Sequence, residues 1–79
     1  MDSDSKLKDA FQKGLGLQAL PPRESLQFSK TEEWDSIGHM RLVAAIEEEF
    51  AIRLDVNDVL ALNSYESALA IIKKYSQHS

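Results

Sequence analysis

Residues 35–50 read DSIGHMRLVAAIEEEF, and the spacing of their apolar side chains decides the fold. On a 3.6-residue wheel Leu42, Val43, Ile46 and Phe50 fall on one arc, which Ile37, Met40 and Ala44 extend, while Gly38, Arg41, Glu48 and Glu49 share the opposite side. Asp35 and Ser36 precede this run, as residues that cap the free N–H groups of a first helical turn do. A helix is therefore predicted from Asp35 or Ser36 to about Ala51. Its wide apolar arc suits packing against two or three other helices.

On the N-terminal side, the stretch from Leu17 to Asp35 holds both prolines of the chain and no sustained period. It is longer than a compact domain normally tolerates in a loop. Leu17, Leu20, Leu26, Phe28 and Trp34 supply apolar area to pin it across helix ends. Pro21 or Pro22 is placed to open a single helical turn around Arg23, Glu24 and Ser25. Before the loop, Leu7, Ala10, Phe11 and Leu15 form the stripe of an amphipathic helix from Ser5 to about Gly16, with Gly14 and Gly16 as flexible or left-handed positions at its end.

After Phe50, Asp55 or Asn57 is expected to cap a short helical segment carrying Val59, Leu60 and Leu62, and Ser64 to cap a last helix. There Tyr65, Ala68, Leu69, Ile72 and Tyr75 make the stripe, and Lys73 and Lys74 suit the negative end of the helix dipole. The architecture expected is all-α: a small four-helix bundle of three main helices and one short one, with a long loop between helices one and two. It is one domain over residues 1–79, with a helical core from about 5 to 75.

Composition narrows the function. A chain of 79 residues buries only roughly 60% of its unfolded surface, which leaves little room for a cleft between lobes and weighs against most enzymes. Hydrophobic residues at 43% with charged residues at 28% mark a chain that folds. The net charge of −4, with no cluster of basic residues, argues against nucleic-acid and anionic-membrane binding. There is no cysteine, so disulfides, Cys-ligated zinc and a thiol nucleophile are excluded, and thioester chemistry would need a thiol from a cofactor. The N-terminal residues lack a long apolar segment, which makes a cytoplasmic location the expectation.

Trp34-Asp35-Ser36-Ile37-Gly38, followed at fixed distance by Leu42, Val43, Ile46, Glu47, Glu48, Glu49 and Phe50, resembles the acyl carrier protein family around its phosphopantetheine attachment serine. The resemblance runs without a gap from Trp34 to Ile72, about half of the chain. It implies a stand-alone, non-catalytic carrier with a long loop between its first two helices. 4'-Phosphopantetheine, taken from coenzyme A, would be attached to Ser36, and Asp35 would help the phosphopantetheinyl transferase engage that serine. Acyl intermediates would be held as thioesters for a specialised fatty-acid, polyketide or secondary-metabolite pathway. The implied partners are that transferase, an acyl-loading ligase or synthase, and a ketosynthase or acyltransferase, all meeting a monomer through Ile37, Met40, Arg41, Glu47 and Glu48 of helix two. Leu42, Val43, Ala44, Ile46, Leu62 and Ala68 are candidates to line a sleeve for the acyl chain.

The physics of a helix N-terminus suits that role, since a phosphodiester there meets free N–H donors and gains ~0.3–1 kcal/mol from the macrodipole. One departure from the family stands out. Fatty-acid carriers place acidic residues just after the serine, whereas this chain has Gly38, His39 and Arg41, which favours a dedicated pathway with its own loading ligase. The glycine is also expected to weaken the first turns of the helix, by up to ~1 kcal/mol relative to alanine. Glu47, Glu48 and Glu49 read most simply as a solvated helix end.

Three other readings are open on the residues alone. One is an aminoacyl or other specialised carrier, and a second is an unmodified helical adaptor binding a partner through acidic faces. The third is nucleophilic catalysis by Ser36 with His39 one turn away and Asp35 beside it. That third reading lacks an acid behind the imidazole and any sign of an oxyanion hole. His39 is expected at the surface or rim, and the other histidine, His78, lies in the tail, so a histidine metal site is not expected.

Overall fold

The computed structural model describes residues 3–76. Four α-helices follow in order: α1 (Ser3–Leu15), α2 (Ser36–Phe50), α3 (Val56–Ala61) and α4 (Tyr65–Ser76), with a 3-10 turn at Arg23–Ser25 in the long loop. The described residues contain no strand, only an isolated antiparallel bridge between Gln27 and Ser64. This is the small all-α bundle that the periodicities predict. α1 starts at Ser3, two residues before the expected position, and Leu62 lies just beyond α3 as its buried C-cap.

Each helix ends for a local reason. Gly16, at φ +67°, closes α1 with a paired cap in which Leu17 N–H bonds Gln12 O and Gly16 N–H bonds Lys13 O. Asp35 caps α2, Asp55 caps α3 through the Asp58 N–H, and Ser64 Oγ accepts from the Ser67 N–H in the first turn of α4. At the far end of α2 the left-handed cap is Ala51, at φ 53°.

The core is built around three aromatic rings, each fully buried. Phe11 of α1 meets Trp34 edge-on at 5.3 Å and Tyr65 of α4 at 5.2 Å. Leu7, Leu15, Leu26, Leu42, Ile46, Leu62 and Ile72 pack around them. Leu26 and Trp34 pin the long loop as expected, while Leu17 and Leu20 are half-buried and Phe28 is 39% exposed. The loop is also stitched to the α3–α4 junction by Phe28 N–H to Asn63 O and Tyr65 N–H to Leu26 O. In α4, Ile71 joins the buried stripe.

The wheel for α2 is wrong on two counts. Ile37 and Met40 are 67% and 61% exposed, and Ala44 is exposed too, so the buried arc is only Leu42, Val43 and Ile46, with Gly38. Gly38 is not on the polar side. The backbone of Glu33 runs so close to it that an added Cβ would lie 2.1 Å from Glu33 O. Gly14 is likewise a buried helical residue in the last turn of α1 rather than a flexible one, and its bare Cα lets the α2 backbone approach to where a Cβ would lie 2.7 Å from Leu42 Cα.

At Gly38, then, glycine shapes the turn rather than loosening it. Alanine there gains ~0.8–1 kcal/mol of helix propensity but brings an overpacking cost of ~1–3 kcal/mol against backbone that has nowhere to rotate. Gly38→Ala should therefore lower the urea unfolding midpoint, by about 1–2 kcal/mol in stability. An unchanged or raised midpoint would show that the Glu33 turn gives way freely.

Candidate functional site

The N-terminus of α2 is assembled from both sides of the Trp34 anchor. Trp34 is buried, its N–H bonds Thr31 O at 2.9 Å, and the chain then emerges with Asp35 extended (φ −102°, ψ −166°) and exposed. Asp35 Oδ1 accepts from Gly38 N–H at 2.8 Å, so this carboxylate is the cap, and Ser36 is the first residue of the helix proper. Ser36 is exposed. The N–H groups of Ser36 and Ile37 have no carbonyl within the helix to bond, because first-turn donors lack one.

An exposed primary hydroxyl, two outward N–H donors and a neighbouring carboxylate drawn off to Gly38 fit a phosphodiester. The same geometry disposes of the nucleophilic triad. Both ring nitrogens of His39 are engaged elsewhere, Nδ1 by the Trp34 indole N–H and Nε2 by Val59 O, each at 2.9 Å, and Asp35 serves the backbone. His39 is half-buried, the rim position of the two expected. Among the described residues no cluster suited to a metal ion occurs; His78 lies outside them.

One helical turn on from Ser36, an apolar cavity of about 320 Å³ lies between α2 and α3, lined by Phe28, His39, Met40, Val59, Leu60, Leu62 and Asn63. Only Leu62 belongs to the sleeve expected from sequence. Leu42, Val43, Ile46 and Ala68 are packed into the core, and Ala44 faces a different groove with Lys13, Gly14 and Arg41. The signal for the true lining was the i, i+3, i+4 relation of Ser36, His39 and Met40, which puts them on one face.

The three glutamates of α2 are not a uniform solvated end. Glu47 is half-buried and accepts the Leu54 N–H at 2.9 Å, Glu49 pairs with Lys13 at 3.3 Å, and Glu48 is exposed. Arg41 is exposed on α2 beside Ile37 and Met40 in sequence but borders the α1 groove.

Sequence reasoning missed the polar tie that holds α3. Asp58 is buried, with Lys74 Nζ donating to Oδ1 and Tyr75 Oη to Oδ2, each at 2.6 Å, and the Asp55 N–H donates to the Tyr75 oxygen at 3.2 Å. The hydrogen bonds from Lys74 and then Tyr75 hold the Asp58 carboxyl below its ordinary range, while Asp58 raises both Lys74 and Tyr75. A second such tie joins Tyr65 to Asp4 across α1 and α4; burial and then the Asp4 carboxylate push Tyr65 upward, and the Tyr65 hydroxyl lowers Asp4.

The chain belongs to the family described as the phosphopantetheine attachment site, which matches residues 5–72. No curated protein and no solved structure matches it. The protein is thus a carrier that bears covalently attached 4'-phosphopantetheine. Carrier domains of this family are generally non-catalytic; phosphopantetheinyl transferases modify them, and synthases and ligases interact with them.

Because the folded Asp58 carboxyl titrates below the unfolded-chain value near ~4, its stabilisation is complete above that value and is lost as pH falls through the folded one. Asp58→Asn should cost about 1–3 kcal/mol at pH 7 in urea unfolding. Its midpoint should also fall less steeply than that of the wild type below pH ~4. Parallel acid limbs would show that this carboxylate is not linked to folding.

Proposed function

We propose that Ser36 carries the arm, and that the protein shuttles acyl groups as thioesters in a specialised pathway served by its own loading ligase. The observation that carries the assignment is the division of labour at the start of α2, where Asp35 takes the cap and Ser36 stands exposed one turn from an apolar cavity. Ser36 Oγ supplies the ester oxygen of the phosphodiester, its proton passing to a base of the transferase as the pyrophosphate link of coenzyme A breaks and adenosine 3',5'-bisphosphate leaves. When bound, the arm supplies the terminal thiol that this cysteine-free chain lacks.

Incubation with coenzyme A, magnesium and a transferase should add one phosphopantetheine mass to the wild type and none to Ser36→Ala, read by intact-mass spectrometry. Modification of the alanine variant would move the attachment elsewhere.

Ile37, Met40, Arg41 and Glu48 remain the docking candidates, all exposed; Glu47 drops out because its carboxylate serves the Leu54 N–H. Partner enzymes with basic patches are repelled by the cation at Arg41, and a rim charge acts mainly on association rate. Arg41→Glu should speed acyl transfer with a general fatty-acid ketosynthase at low salt, the gain shrinking as the Debye length falls toward ~10 Å at 0.1 M. Equal rates across the salt series would show that Arg41 does not set partner choice.

A further inference from the structure

α3 has little of its own to hold it. It spans six residues, far short of the ~12–15 at which an isolated helix becomes even marginal in water. Val56 and Leu60 are 73% and 76% exposed, Val59 is half-buried, and its one buried residue is the charged Asp58. Polar ties on two neighbouring helices hold its middle. Asp58 binds Lys74 and Tyr75 on α4, and on the opposite side the Val59 carbonyl binds His39 of α2.

The His39 tie extends further. Indole nitrogen is only a donor and a peptide carbonyl only an acceptor. With Trp34 Nε1 at 2.9 Å from Nδ1 and Val59 O at 2.9 Å from Nε2, the ring must accept at Nδ1 and donate at Nε2. One form satisfies both, the neutral ring with its proton on Nε2. The two rings lie nearly parallel, at 15°, and Phe28 closes on the imidazole edge-on at 5.5 Å. Trp34 is the second residue before Ser36, and His39 and Val59 both line the apolar cavity. A single hydrogen-bonded line thus runs from the turn that presents Ser36, through α2, to the helix on the far side of the cavity.

We propose that His39 is a positioning residue that couples the Ser36 turn to α3 and sets the width of the cavity between α2 and α3. With the Val59 tie made, α3 is held in over the cavity. With it broken, α3 keeps its anchors at Asp58 and at the Leu54 and Leu62 ends and swings outward from α2. Cargo entry beside Ser36 therefore proceeds by release of one hydrogen bond rather than by unpacking of the Phe11–Trp34–Tyr65 core. The consequence for cargo rests on Ser36 being the attachment residue; the coupling itself does not.

The two arms of the imidazole can be kept separately. Asparagine places an acceptor near the Nδ1 position but does not reach Val59, whereas glutamine carries an amide N–H to the Nε2 position and leaves the Trp34 N–H without its acceptor. The experiment uses the full chain with Ser36 unmodified, so it is independent of the intact-mass result. It compares wild type, His39→Asn and His39→Gln by amide hydrogen exchange and by the resonance of the one indole N–H in the chain. His39→Asn should raise exchange at residues 56–61 by about tenfold or more, with amides of α1 and the second half of α2 unchanged and the indole resonance near its wild-type position. His39→Gln should restore protection at 56–61 and shift the indole resonance. Nitrogen shifts of His39 in the wild type should show the proton on Nε2. The proposal is overturned by a proton on Nδ1, by wild-type protection of 56–61 in His39→Asn, or by loss of protection spread equally over α1, α2 and α3 in both variants.

Discussion

Everything at the working end of this protein hangs on the burial of one indole ring. Trp34 sits between Phe11 and His39 with no exposed surface, and it is the last residue before the chain turns into its cap. Burying a ring of this size contributes several kilocalories per mole of transfer free energy, at ~25 cal/mol per Å² over some 150–250 Å². That fixed point determines where Asp35 can begin to cap and hence which residue starts α2 in the open. It also gives the long loop between α1 and α2 a reason to stay put, since Leu26 and Trp34 hold its later part against the core.

Much of this was written in the sequence at the level where periodicity speaks. The stripes of α1, α2 and α4, the Asp35, Asp55 and Ser64 caps, and the single turn after Pro22 follow from spacing and from the hydrogen-bonding capacity of short polar side chains. The long loop between the first two helices was legible as well, and the family match over residues 5–72 agrees with the motif that starts at Trp34. Attachment at Ser36 remains a proposal, resting on exposure and on where the cap falls.

What was illegible was made by contacts between segments far apart or oddly close. A helical wheel assigns Gly38 to the polar side because glycine has no hydropathy to plot, and the approach of the Glu33 carbonyl is a property of the loop. Ile37 and Met40 are apolar by type, yet no element covers them, so the arc inferred from them was too wide. Asp58 is by type one charge on a short helix, and only the fold brings Lys74 and Tyr75 to it. The cavity followed the same rule: its walls come from Phe28, His39 and Val59, three segments that no single stripe connects.

The close contact between Gly14 and Leu42 has a counterpart in the slender attachment of α3, and together they divide the molecule into a stiff flank and a compliant one. α1 and α2 meet nearly backbone to backbone, so their relative position resists small displacements. α3 is moored by a few polar groups and yields first. The Gly14–Leu42 side of α2 is therefore the stiff one, and the side that yields is the one where His39 and Met40 line the cavity.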